Sequence, residues 1–197
     1  MSASLRAFIA AELPGELRRT IGRLQTELSA AGVRARWARP ESIHLTLRFL
    51  GQVPVEAVAR LAAALGAAVD GQPALRLRAE GLGVFPGPRR PRVFWAGLTG
   101  EAEALCGLQR RLEQALAVRG FAPEDRPFRA HLTFGRFAET GPPGPVAEAL
   151  AVHSGQELGR FELRELVLFE SVLRPSGAVY TALARAGLGG AGPDAPA

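Results

Sequence analysis

No lysine and no asparagine occur in these 197 residues; all 24 basic side chains are arginine. The wholesale choice of arginine reads as a compositional bias of the coding sequence. The net charge of +5 remains, and arginine forks grip phosphate in bidentate fashion, so an anionic partner is expected. The single cysteine, Cys106, excludes an internal disulfide and suits a reducing cytoplasm, the expected location. It falls inside a helical pattern and is expected to be buried. No run of about 18 apolar residues is present, which excludes a membrane-spanning helix. Met1-Ser2-Ala3-Ser4 lacks a basic start and a long apolar run, so no export signal is expected. No Gly-x-Ser-x-Gly turn or Cys–His pair suggests a covalent nucleophile.

A repeat is present. His44-Leu45-Thr46-Leu47-Arg48-Phe49 returns as His131-Leu132-Thr133-Phe134, with Arg136 close behind. Strands send successive side chains to opposite faces. Strict alternation puts His44, Thr46 and Arg48 on one face and buries Leu45, Leu47 and Phe49 on the other. His131 and Thr133 likewise oppose Leu132 and Phe134. Arg136 comes one residue later in its copy than Arg48 does, which on the same alternation turns it away from the histidine face.

The likeness extends outward. Arg39-Pro40 precedes His44 as Arg126-Pro127 precedes His131, and Arg6-Ala7-Phe8-Ile9-Ala10 resembles Arg92-Val93-Phe94-Trp95-Ala96. The near-constant offset implies an internal duplication. Two long copies related by a pseudo-twofold axis would set both His-x-Thr strands facing one cleft.

The periodicity predicts strands at 5–11, 33–38, 43–50, 75–85, 92–98, 131–137 and 178–184, with one or two more between 157 and 173. Helices are predicted over 14–31, 54–69 and 101–118, and a short one follows the 141–145 loop. The class is α+β, a duplicated two-lobed fold in which antiparallel sheets line a central cleft and helices lie outside. Residues 1–186 form the domain, and the Gly/Ala/Pro-rich 187–197 is a flexible tail. Pro86-Gly87-Pro88-Arg89-Arg90-Pro91 is a basic loop, either a solvated turn or a contact to nucleic-acid phosphates.

Two imidazoles, each beside a hydroxyl, can take a proton from an entering oxygen and give one to a leaving oxygen. The threonines and a nearby arginine would hold the anion between them. A phosphodiester fits that arrangement. A metal site would need a third ligand; His153 lacks a threonine partner and reads as a surface residue, and no acidic residue joins the histidine face.

These residues resemble the 2H phosphoesterase superfamily, most closely its bacterial and archaeal RNA 2′,3′-cyclic phosphodiesterases, also called 2′-5′ RNA ligases. Ile43 to Gly51, Gly83-Val84-Phe85-Pro86, Arg126 to Thr133 and Ala178-Val179-Tyr180 carry the resemblance, which covers the chain up to the tail. It implies a cytoplasmic hydrolase that opens an RNA-terminal 2′,3′-cyclic phosphate to a 2′-phosphate without metal or cofactor. His131 would be the proton acceptor and His44 the proton donor. Thr46 and Thr133 would bind the phosphate, with Arg129 and Arg136 as further candidates. The same pair could run the reverse 2′-5′ ligation. The partner would be RNA with a cyclic phosphate end, tRNA fragments being one candidate, and the protein a monomer away from membranes. A non-catalytic RNA-end binding module and a phosphodiesterase for small cyclic nucleotides remain open alternatives.

Overall fold

The computed structural model describes residues 3–137, 143–175 and 177–189. In chain order the elements are β1 (Ser4–Glu12), α1 (Gly15–Ala30), β2 (Arg36–Trp37), β3 (His44–Pro54), α2 (Val58–Val69), β4 (Leu75–Phe85), β5 (Val93–Gly100), α3 (Ala102–Ala117), β6 (His131–Arg136), α4 (Pro143–Val152), β7 (Glu157–Leu163), β8 (Glu165–Arg174) and β9 (Gly177–Gly187). The predicted α+β class holds, with every described strand pairing antiparallel. The predicted strand at 33–38 shrinks to Arg36–Trp37.

The helices form where the apolar spacing demands them. Leu17, Ile21, Leu24 and Leu28 make the buried stripe of α1; Leu105, Leu108, Leu112 and Leu116 make that of α3. Both helices stop where the chain reaches a glycine at positive φ, Gly32 at 87° and Gly120 at 85°. Cys106 on α3 is only partly buried.

The strands form one sheet in the order β7-β4-β5-β6-β3-β1-β8-β9, with β2 continuing the line of β3 along β6. The order reads alike from both ends. β6-β5-β4-β7 on one side answers β3-β1-β8-β9 on the other. The two sheets expected from the sequence are the halves of this one, and they join along β6, where Leu132 pairs Leu45 of β3 and Gly135 and Arg136 pair Trp37 and Arg36 of β2. All four helices contribute to a common core on the face that carries Ile9, Leu45, Leu132 and Phe94. On the opposite face Phe8, Ala10, Val167 and Phe169 form a smaller cluster, with Tyr180 packed against it.

Pairing through the motif strands corrects the residue matching of the duplication. Ala10 pairs Thr46 and Ile9 pairs Arg48, while Trp95 pairs Thr133 and Phe94 pairs Gly135. Phe94 is therefore the counterpart of Ile9, and both are core residues. Phe8 is the counterpart of Val93. Of the expected tail, Gly187 belongs to β9, and the N–H of buried Leu188 donates to Arg164 O at 2.6 Å. Residues 190–197 lie outside the described residues.

Candidate active site

Both motif histidines stand on the sheet face opposite the helices, side by side at the seam between the halves. Leu45 opposes Leu132 with its side chain in the core. In an antiparallel pair the neighbours on either side follow, so His44 is level with Thr133 and Thr46 with His131. Such partners have Cβ atoms about 4.5–5.5 Å apart. Each half thus presents its imidazole beside the other half's hydroxyl.

The imidazoles are held in the same way. His44 Nδ1 lies 2.8 Å from Ser42 O, and His131 Nδ1 lies 2.6 Å from Arg129 O. A carbonyl can only accept, so Nδ1 of each ring donates its hydrogen. In the neutral ring the lone pair is then on Nε2, and any proton taken up goes there.

The surroundings of the two rings differ. His44 stacks on Phe8, with ring centroids 4.8 Å apart, and meets the edge of Tyr180 at 5.3 Å. A hollow of about 180 Å³ adjoins it, lined by Glu12, Arg18, Glu41, Ser42 and Tyr180 among others. Burial lowers the His44 pKa from the usual imidazole value of 6.5; the Ser42 carbonyl pulls the other way, and the Arg18 cation adds to the lowering. Burial likewise raises the Tyr180 phenol, against the positive fields of Arg136 and Arg6. His131 stands among Phe85, at 5.1 Å, and Trp95, at 6.3 Å. Gly97 faces it on the neighbouring strand, where a Cβ would come within 2.7 Å of Glu80 O. Gly83 has a similar part: a Cβ there would lie 2.0 Å from Trp95 Cζ2, so only glycine lets the indole lie across β4.

Strict alternation fails just past each threonine, for one shared reason. The β1–β3 register skips Leu47 between Ile9–Arg48 and Ala10–Thr46, and the β5–β6 register skips Phe134 between Phe94–Gly135 and Trp95–Thr133. Both are bulges, in which one extra residue puts two successive side chains on the same face. Arg48 accordingly turns inward beside Leu47 and is 8% exposed, while Phe49, expected in the core, is 57% exposed on the histidine face. In the second copy Gly135 takes the inward position and Arg136 turns outward, back to the histidine face. Arg136 is exposed and acts on Tyr180, whose ring touches His44.

Each bulge is supported by a helix of the other copy. Phe134 O accepts from Ala38 N–H at 2.9 Å and from buried Gln25 Nε2 of α1 at 3.0 Å. Arg48 pairs with Glu113 of α3 at 3.3 Å and Glu124 at 3.7 Å, and donates to Ala122 O in the segment leading to His131.

Of the predicted site residues, His44, Thr46, His131, Thr133 and Arg136 share this face. Arg129 is exposed, with its guanidinium 5.8 Å from the centre of the Phe85 ring. His153 follows α4 and bonds Gln156 Oε1. Among the described residues no three His, Cys, Asp or Glu side chains are grouped to hold a metal ion, and no helix is long and apolar enough to cross a membrane. Sequence reasoning missed Phe8, Arg18, Trp95 and Gly97 as neighbours of the imidazoles. Their signal was available only through folding, since Phe8, Trp95 and Gly97 lie beside a motif residue on other strands and Arg18 acts on His44 from α1.

The family described as LigT like Phosphoesterase matches the chain twice, over residues 11–95 and again over 98–180. A protein of Archaeoglobus fulgidus named RNA 2′,3′-cyclic phosphodiesterase is 37% identical over 177 residues, covering 89% of this chain and 96% of that one. One of the same name from Methanothermobacter thermautotrophicus is 33% identical, covering 90% and 95%. Among solved structures, Escherichia coli LigT complexed with 3′-AMP superposes with a TM-score of 0.73 at 27% identity, covering 94% of this chain and 99% of that one.

Proposed function

The chain belongs to the LigT-like phosphoesterase family, and on that footing we propose that it is a hydrolase opening RNA-terminal 2′,3′-cyclic phosphates by acid–base work of His44 and His131. The observation that carries this reading is the matched pair of imidazoles, each fixed through Nδ1 to a carbonyl and each level with the opposite threonine. The names of the relatives supply the substrate.

In the proposed reaction His131 Nε2 takes a proton from water as the water oxygen bonds to phosphorus. The bond from phosphorus to the 3′ oxygen breaks, and that oxygen takes the proton from His44 Nε2. The product is a 2′-phosphate with a free 3′-hydroxyl, and solvent takes the proton from His131 and returns one to His44. Thr46 and Thr133 donate to the equatorial oxygens, where charge develops. Arg129, over the Phe85 ring that meets His131, contributes positive charge. His44 must carry a proton to act as donor, yet burial and Arg18 favour its neutral form. An arriving phosphate anion offsets Arg18 and draws the proton onto the ring. A ribose 5′-hydroxyl can enter in place of water, with the 3′ oxygen again leaving, so the same pair can form a 2′-5′ linkage. No step calls on a metal. We read the two halves as one catalytic unit, since neither holds both imidazoles.

The test is hydrolysis of an oligoribonucleotide ending in a 2′,3′-cyclic phosphate, with the product assigned as 2′- or 3′-phosphate. His44→Ala and His131→Ala are each expected to lower the rate by about 10²–10⁴, and a chelator to leave wild type unchanged. Turnover that survives both substitutions, or a 3′-phosphate product, overturns the reading.

A further inference from the structure

We propose that Arg36 and Arg136, side by side at the end of the second motif strand, hold a backbone phosphate next to the reacting one, so that the enzyme favours a polynucleotide end over a mononucleotide. This rests on the hydrolytic reading above. Phe85, Val93, Arg136 and Arg36 form one row across β4, β5, β6 and β2, each opposite the next. Residues in such a row share a face. Phe85 meets the edge of His131, which fixes that face as the histidine face. The row lies roughly 10 Å along β6 from Thr133, at about 3.3 Å per residue. It is therefore beside the proposed phosphate position rather than on it.

Two arginines directly opposed on neighbouring strands repel. Other arginines of the molecule resolve such strain with carboxylates: Arg185 pairs with Glu12 and Glu165, and Arg78 with Glu80 and Glu157. Among the described residues neither Arg36 nor Arg136 has an acidic side chain within ion-pair distance. Both are exposed. The adjoining turn between β4 and β5 adds Arg89, Arg90 and Arg92, also exposed and, among the described residues, likewise without a carboxylate within ion-pair distance. Arg92 is fixed by its backbone, its N–H on Phe85 O at 2.7 Å and its carbonyl receiving Phe137 N–H at 3.0 Å. A run of cations on one edge, leading away from the paired imidazoles, is the footprint of a second phosphate on the same chain. A mononucleotide has no phosphate to offer there.

The experiment compares kcat/KM on a 2′,3′-cyclic mononucleotide and on a short oligoribonucleotide ending in the same cyclic nucleotide. Arg36→Gln is expected to lower the oligonucleotide value about 5-fold or more and leave the mononucleotide value unchanged. Arg36→Lys is expected to recover much of the loss. The salt dependence of the oligonucleotide reaction should flatten by about 0.7 in log–log slope, the loss of one single-strand phosphate contact. Equal loss on both substrates, or none on either, overturns the proposal. If wild type turns over neither substrate, the hydrolytic reading fails on its own. Arg36 is then judged by fluorescence anisotropy with the same oligonucleotide. Weaker and less salt-sensitive binding of Arg36→Gln upholds the phosphate contact, and unchanged binding removes it.

Discussion

The two motif strands start alike and end differently. Each carries histidine, a core residue, threonine and then a bulge, and each imidazole is tied to the carbonyl two residues before it. The residue that the bulge turns inward is Arg48 in one and Gly135 in the other. The residue that it turns outward is Phe49 in one and Arg136 in the other. One half thus keeps its cation inside as a brace and shows an aromatic ring; the other shows its cation. Duplication supplied two equal imidazoles, and a bulge of fixed position let unequal side chains specialise their flanks. The braces also cross. Gln25 of the first copy holds the bulge of the second, and Glu113 of the second holds Arg48 of the first. Neither half's active strand is braced by its own copy's first helix alone, which ties the two halves into one unit.

Substitutions can test how far the likeness and the difference reach. The largest effect belongs to what the strands share. Thr46→Val and Thr133→Val remove equivalent hydroxyls, and each is expected to lower kcat on a cyclic-ended oligoribonucleotide by about 10²-fold, the usual cost of one lost transition-state donor. A loss at one threonine only would show that the phosphate sits within a single half. Next comes the brace. Arg48→Met keeps the aliphatic volume but takes the cation from Glu113, which keeps Gln109 Nε2 and the Glu124 N–H as donors, and is expected to cost about 3 kcal/mol in urea unfolding, at the low end for a broken buried pair because Glu113 also retains some solvent. The matching change Gly135→Ala carries no charge; its Cβ would meet Trp37 Cε3 at 2.9 Å, so its cost is that of overpacking.

Gly83→Ala is expected to cost about 1–3 kcal/mol by the same overpacking. It should also displace Trp95 and so perturb the His131 imidazole signals in NMR while leaving those of His44 in place. The smallest effect is in titration. The His44 pKa is lowered in the fold, so the unfolded chain binds that proton first as the pH falls below about 6.5. The contribution is complete above that pH and is lost as the pH drops through the lowered value. His44→Gln should flatten this acid limb in a stability–pH series. Arg18→Gln should move the His44 titration upward by NMR, and a downward move would contradict the assigned part of Arg18.

Much of the fold was legible because local chemistry writes it. The leucine stripes of α1 and α3, and the alternation of Leu45 and Leu132 with their histidines, need no partner to be read. The motif residues were legible because duplication repeated them. The bulges were not, since Leu47 and Phe134 carry no mark of being the extra residue. Whether a strand gains a residue depends on the strand paired to it. That is why Arg48 was placed on the wrong face and Phe49 in the core, and why matching by sequence equated Phe8 with Phe94 when pairing through the sheet equates Phe94 with Ile9.

Two His-x-Thr strands, their core partners and the α+β order were fixed along the chain, because side-chain periodicity is a property of consecutive residues. The seam at Leu45–Leu132, the lowered pKa of His44 and the outward turn of Arg136 arose only on folding. Register, burial and field are set by residues far apart in sequence, and these exist as neighbours only once the sheet has closed.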